Sequence, residues 1–269
     1  MTPPPPPGES TRVALGGERG RVVALVPMRH GSERVPGKNH RVLAGKRACC
    51  WVIDALLESG VIDEVLIDTD SAPIREIGEM YAGREGASVR VIDRPAHLAG
   101  GHVSMNDVIR HDLGHTDAEV VVQTHATNPM LRPETIASCV RAYRERASTN
   151  DSLFTVTRHQ ARFYTPEGDP LNHDPAELRR TQDLRPMYEE NSCLYVFSPG
   201  SFRAAGARIG ERPVMVELDP IEAVDLDEER DFALAEAIAR SGLVRGAMPA
   251  RVIEESAWTE PGRREERVA

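Results

Sequence analysis

The sequence predicts a three-layer α/β domain: a mostly parallel twisted sheet covered by helices on both faces, with a small β-rich insertion. Short apolar runs alternate with helix-length amphipathic stretches through the first half of the chain. Continuous apolar runs fit strands buried on both faces, and the alternation fits parallel strands joined by crossover helices. From about Asp151 the pattern changes to strand-like segments, with no convincing helix between 158 and 191. That stretch reads as an inserted arm.

In chain order, residues 22–26 form an apolar run ending at Pro27, a buried strand. Residues 46–59 carry Cys49, Val52, Ile53 and Leu56 at helical spacing, and Gly60 stands where a helix stops. A strand over 64–67 precedes a helix over 73–81, and a strand over 89–92 precedes a helix over 105–113. A strand over 119–123 leads to a helix over 133–146 that starts on proline. Strands follow over 152–157, 163–165 and 192–197. The last helix spans 228–240, with Phe232, Leu234, Ala235, Ala237, Ile238 and Ala239 as its apolar positions. Ligands of such sheets sit beyond the carboxyl ends of the strands. The chemistry is therefore expected in 27–39, 68–70, 93–104 and 123–132.

The domain is expected over 21–245, with 158–191 as the arm, between a disordered or appended leader (1–20, with five consecutive prolines) and a tail (246–269). Net charge is −9 with 28% charged residues, which disfavours nucleic acid and anionic lipid as partners and requires a local basic cluster for an anionic substrate. No apolar run reaches the roughly 20 residues of a membrane span. The four cysteines form no C-x-x-C pair, which fits reduced thiols in the cytoplasm.

The loop Pro27-Met-Arg-His-Gly-Ser-Glu-Arg-Val-Pro-Gly-Lys-Asn39 brings Arg29, Arg34 and Lys38 into an otherwise acidic protein. Glycines at 31 and 37 allow close backbone approach, and Ser32 offers a hydroxyl. This composition suits phosphates; the alternative is a basic surface turn. Five residues separate the two glycines and Asn39 stands where Ser or Thr would ligate magnesium, so it is not a Walker loop.

The run R-x-x-S-x-R-x-P-G-K-N over 29–39 resembles the signature of the acylneuraminate cytidylyltransferases, the CMP-sialic acid synthetases, and Kdo-activating enzymes share part of it. Further segments resemble the family in order: Leu43-Ala-Gly-Lys46, Thr69-Asp70, Arg94-Pro-Ala-His-Leu-Ala99, Thr127-Asn-Pro-Met-Leu-Arg132, Gln182-Asp-Leu184, Glu190-Asn191 with Tyr195, and Asp225-Leu-Asp227. The resemblance implies a Rossmann-like nucleotidyltransferase fold with a dimerisation arm. It also implies a homodimer that transfers CMP from CTP to the hydroxyl of a sialic acid-like keto sugar acid. Arg29, Ser32, Arg34, Lys38 and Asn39 would hold the triphosphate, and Arg94 and Ser104 the cytosine. Gln123, Thr127, Gln182, Asn191 and Tyr195 would hold the sugar acid. Asp225 and Asp227 would hold Mg²⁺, and with Arg29 and Lys38 make up the catalytic set.

Each assignment has a plainer alternative: Asp227 as the cap of the last helix, and the buried Gln and Asn as structural hydrogen-bonders. The chain also departs from the family. Met28 stands for alanine, Glu33 for lysine, Thr181 for an arginine (with Arg179 and Arg180 adjacent), and Val103 and Met105 flank Ser104. The segment Gln123-Thr-His-Ala-Thr-Asn-Pro is longer than the family's Q-P-T-S-P, which leaves the role of Gln123 open. Rival readings are a nucleotidyltransferase with another base or acceptor, and a catalytically silent nucleotide-binding relative. A metal hydrolase built on His111-Asp-Leu-Gly-His115 lacks the glutamate and a third ligand, and a solvated helix face is the expected reading.

Overall fold

The structure, a computed structural model, describes residues 20–32 and 34–254. Glu33, the leader expected over 1–20 except Gly20, and the tail beyond 254 lie outside the described residues. The elements in chain order are β1 (Val22–Pro27), β2 (Val42–Leu43), β3 (Lys46–Arg47), α1 (Ala48–Glu58), β4 (Glu64–Thr69), α2 (Ala72–Ala82), β5 (Val89–Asp93) and α3 (Met105–Asp112). Then come β6 (Val120–Thr124), α4 (Pro133–Arg146), β7 (Ser152–His159), β8 (Met187–Phe197), α5 (Pro199–Ala205), β9 (Pro213–Leu218), α6 (Glu229–Ser241) and β10 (Arg251–Val252).

One eight-stranded sheet runs in the order β10-β9-β7-β8-β6-β1-β4-β5. Strand β1 pairs in parallel with both β4 and β6, and β4 with β5. On the other side β8 is antiparallel to β6 and to β7, β9 is parallel to β7, and β10 is antiparallel to β9. The sheet is thus mostly parallel, with antiparallel β8 as the seam between its halves.

The alternation of side chains along β1 decides the layers. Val22, Ala24 and Val26 pack with α1, α2 and α4 through residues such as Val52, Ile77 and Ile136. Val23 and Leu25 face the opposite side, with Ile109 of α3 and Phe202 of α5. Burying each Val, Leu, Ile or Phe among them contributes roughly 1.5–3 kcal/mol. A third cluster packs α6 (Phe232, Ala235, Ile238) against Val35 and Leu43, so the last helix pins the loop that follows the first strand.

Several expectations are corrected. Strand 163–165 is reduced to a bridge between Tyr164 and Pro170, because Asn172 instead takes up Phe163 N, Ala161 O and Arg185 O. The first helix begins at Ala48, since Lys46 and Arg47 pair with Leu43 and Val42. The sequence does not predict α5, β9 or β10, and residues 246–254, expected as the start of a tail, hold β10: Arg251 and Val252 pair with β9, and Arg132 binds the Ala247 and Met248 carbonyls.

Candidate functional site

The loop after β1 is shaped by Gly37, whose φ of +68° lies in the left-handed region that disfavours any side chain; a Cβ there would also meet the His40 ring at 3.0 Å. Asn39 donates from Nδ2 to the Arg29 carbonyl at 3.2 Å, closing the loop on itself. The Asn39 amide thus shapes the loop. Gly31 has open space around its Cβ position, so no close approach demands glycine there. Arg29 and Ser32 are half-buried in the same loop.

Two of the loop's cations meet one distant carboxylate. Arg34 Nη2 lies 2.8 Å and Lys38 Nζ 3.2 Å from Asp227 Oδ1, across more than 180 residues of sequence. The Asp227 side chain is 40% exposed, so these ion pairs are open to exchange. Asp227 is not the cap of α6. Glu228 is the N-cap, and Asp231 closes its capping box while also accepting from Asp227 N. Asp225 lies behind, with Oδ1 buried and without a hydrogen-bond partner. Burial raises its pKa above the usual carboxylate range, a bond from Thr127 opposes that, and the charge of Asp227 adds to it. Thr127 also accepts from Leu226 N at 2.9 Å, and Arg132 binds the buried Glu222 at 2.9 Å. These contacts hold the 222–227 segment against the end of β6.

A second cluster lies beside the first. Arg208, on the segment after α5, donates from Nη1 to Gln123 Oε1 (2.8 Å) and His125 Nε2 (3.2 Å), and from Nη2 to the Tyr195 hydroxyl (2.8 Å). Its guanidinium lies 3.6 Å from the centroid of the Tyr195 ring. The Tyr195 hydroxyl donates to Glu190, which also lies 3.3 Å from Arg208. Ser192 takes φ +58° in β8, where the pairing with β7 shifts register, and such a conformation costs a non-glycine residue about 1 kcal/mol. His125 feels both clusters: burial, Arg208 and Lys38 lower its pKa to about 3, against a smaller opposing effect of Asp227.

Other expected residues fall elsewhere. Asn191 is consumed inside the sheet, accepting from Thr155 Oγ1 (2.7 Å) and Cys193 N (3.2 Å) and donating to Thr157 (3.3 Å). Gln182 sits exposed on the arm, as does Thr181; Arg179 and Arg180 there pair with Glu177 and Asp183. Ser104 is the N-cap of α3 and lines a cleft with His97, His102, Val103 and His111.

Arg94 is almost fully buried and binds Asp68 at 3.1 Å. Asp68 Oδ1, both Asp112 oxygens and His111 Nε2 are buried without another partner, and the three residues' ligand atoms lie within 4.8 Å of one another. The expectation of a solvated face therefore holds for exposed His115 and fails for His111. With Arg94 already on Asp68, a proton satisfies this group more simply than a cation. Burial, then the charge of Asp68 and a bond to it, push the Asp112 pKa up to about 9, and Arg94 opposes this. A protonated Asp112 supplies the donor that two facing carboxylates lack.

Sequence reasoning missed Arg208, Glu190 as an Arg208 partner, and His125 as a site residue. Arg208 belongs to no motif. His125 had a signal, since it directly precedes Ala-Thr-Asn-Pro in the segment where the family places its glutamine. Gln123, fully buried, serves as a support for Arg208 and His125.

The Cytidylyltransferase family profile matches residues 23–243. The N-acylneuraminate cytidylyltransferase A of Danio rerio is 30% identical over 223 residues, covering 80% of this chain and 50% of that protein. The CMP-N,N'-diacetyllegionaminic acid synthase of Legionella pneumophila is 26% identical over 227 residues, covering 81% of this chain and 96% of the relative. The chain thus spans about half the length of some curated relatives and nearly all of another. A solved CMP:2-keto-3-deoxy-manno-octonic acid synthetase in complex with CTP superposes with a TM-score of 0.59 at 16% identity, covering 82% of this chain and 99% of that one, a likeness of fold. With loop, carboxylates and sheet in this arrangement and the profile spanning most of its length, the chain belongs to the cytidylyltransferase family.

Proposed function

We propose that this protein transfers CMP from CTP to the hydroxyl of a sialic acid-like keto sugar acid and releases pyrophosphate. The observation that carries this reading is the convergence of Arg34 and Lys38 on Asp227, beside Asp225, in a chain of the cytidylyltransferase family. The curated relatives named above act on N-acylneuraminate and on N,N'-diacetyllegionaminic acid by their names, which supports an acceptor of that class.

The residues of the loop bind and orient. Lys38 and Arg34 exchange Asp227 for phosphate oxygens, and Arg29 adds a third cation on the same loop. Asp225 and Asp227 fit a magnesium ion: both are oxygen donors, and Asp225 Oδ1 is a buried atom that lacks a partner. Bound there, Mg²⁺ supplies charge neutralisation at the phosphates. Phosphoryl transfer asks for position and charge more than covalent chemistry, which this set of residues provides.

We further place the reaction in the cytoplasm, where the free Cys49, Cys50, Cys139 and Cys193 stay reduced. Among the described residues no helix is long and apolar enough to cross a membrane. The arm is proposed as a homodimer contact, since it exposes Tyr164, Leu171 and Leu178. Sedimentation that finds an active monomer would remove that part.

The deciding experiment is pyrophosphate release from each of four nucleoside triphosphates with a panel of sialic, deaminated and Kdo-type acids. CTP with a nonulosonate should give turnover. CTP binding without release would make the protein a silent relative, and release with another base or acceptor would redirect the reading.

A further inference from the structure

We propose that His125 is a substrate-contacting hydrogen-bond donor between the two clusters, and that Arg208 is the positioning residue that fixes it in that state. The proposal rests on the cytidylyl-transfer reading above and concerns how the reacting centre is built.

The argument is one of donors and acceptors. A guanidinium keeps all its protons, so Arg208 Nη1, 3.2 Å from His125 Nε2, can only donate to it. The same Nη1 donates to Gln123 Oε1 at 2.8 Å and so fixes which way that amide points. Gln123 Nε2 then faces His125 Nε2 at 3.3 Å, also as a donor. Two donors meet one ring nitrogen, so Nε2 is the unprotonated acceptor. The neutral ring must carry its proton on Nδ1.

Arg208 has little freedom to relax this. It is stacked on Tyr195, bonded to that hydroxyl and near Glu190. The charged groups acting on the ring are Arg208 and Lys38, which oppose a second proton, and Asp227, which favours one. Burial sides with the two cations. With its one lone pair occupied, His125 is unsuited to act as a general base. It offers an N–H at a point influenced by both Lys38, on the phosphate loop, and Arg208, on the second cluster. The matching ligand chemistry is an anionic oxygen, either on the α-phosphate or on the acceptor's carboxylate. His125 forms no covalent bond; it stabilises negative charge.

The test begins with ¹⁵N spectra of imidazole-labelled full-length protein, which need no substrate. His125 should show Nδ1 protonated and Nε2 bare throughout the neutral range. In Arg208→Met the fixed tautomer should be lost and the ring should take up its second proton at higher pH than in the wild type. A wild-type ring protonated at Nε2, or titrating like free imidazole, overturns the proposal.

Kinetics then identify the oxygen. His125→Ala should lower pyrophosphate release about 10²-fold, and His125→Gln, which keeps an N–H donor, should recover most of it. Thermal unfolding of each variant separates misfolding from this loss. A raised KM for the acceptor alone assigns the carboxylate, and a lowered kcat with both KM values unchanged assigns the α-phosphate. An alanine variant as active as wild type overturns the proposal. Failure of the wild type to release pyrophosphate with any sugar acid would sink the underlying reading instead, while the spectra still judge the tautomer.

Discussion

The two clusters, at Asp227 and at Arg208, hold their charges in opposite ways. At Asp227 one partner, Arg34, is 63% exposed, the other, Lys38, is half-buried, and the carboxylate itself is 40% exposed. At Arg208 the guanidinium is only 17% exposed, stacked on an aromatic ring and tied to a strand glutamine, a histidine and a tyrosine. Exposed ion pairs are worth little, about 0–1 kcal/mol, so they exchange readily for a ligand. A buried, fully bonded cation is costly to rearrange. The first cluster is therefore suited to swap its partners for triphosphate and metal, and the second to present a fixed surface to whatever enters.

The largest expected effect lies at the exchangeable end. Asp227→Ala should reduce pyrophosphate release from CTP by at least about 10³-fold, and Lys38→Ala by about 10²-fold or more, as for loss of a transition-state charge contact. Both should leave the unfolding midpoint nearly unchanged, because the shared carboxylate is 40% exposed and water takes over the pairing it loses. Steady-state kinetics beside calorimetry checks both halves. A large fall in melting temperature with normal turnover would reverse the comparison.

Next comes the buried charge group of Asp68, Arg94 and Asp112. Asp112 has a folded pKa near 9 against an ordinary value of 3.8. Its folded pKa is raised, so the folded state holds a proton that the unfolded chain has lost above about pH 4. The associated stability is complete below that pH and drains away as pH rises through about 9. Asp112→Asn supplies a permanent neutral donor. It should therefore stabilise the fold at pH 8, on the order of a few kcal/mol, and do little at pH 4. Urea unfolding at the two values checks the sign. A loss at pH 8 that a divalent ion restores only in the wild type would mean that the Asp68, His111 and Asp112 group holds a cation.

The same contrast explains what was legible in the sequence. The parallel half reads directly because its strands are continuous apolar runs punctuated by Pro27, Gly60 and Pro133. The loop after β1 reads because charge and turn residues fall together over residues 29–39. Arg208 does not read, because its partners Gln123, Tyr195 and Glu190 lie 13 to 85 residues away and only the antiparallel seam unites them. Asn191 reads as a ligand contact in the sequence because a motif cannot tell which way an amide points. In the fold it points into the bulge between β7 and β8.

Asn191 accordingly offers a smaller test. Asn191→Ala should cost about 1–3 kcal/mol, since it strands buried Thr155, Thr157 and Cys193 groups that the amide now satisfies. The acceptor KM of the folded fraction should change less than for Arg208→Met. An acceptor KM raised tenfold or more at unchanged stability would restore Asn191 to the sugar site and enlarge the prearranged cluster.

The smallest effect separates the two cations that share Asp227. The Arg34 side chain is 63% exposed and that of Lys38 only 19%. A cation that remains in water loses much of its field to the solvent, whereas the half-buried ammonium keeps it. Arg34→Ala should then change stability by less than about 1 kcal/mol and raise the CTP KM only several-fold. The remaining penalty should shrink as salt is added, because the exposed charge is the one that ions screen. The Lys38→Ala defect should persist at the same salt. Equal and equally salt-sensitive defects would mean that both cations act through solvent, and that the loop serves to attract the nucleotide more than to grip it.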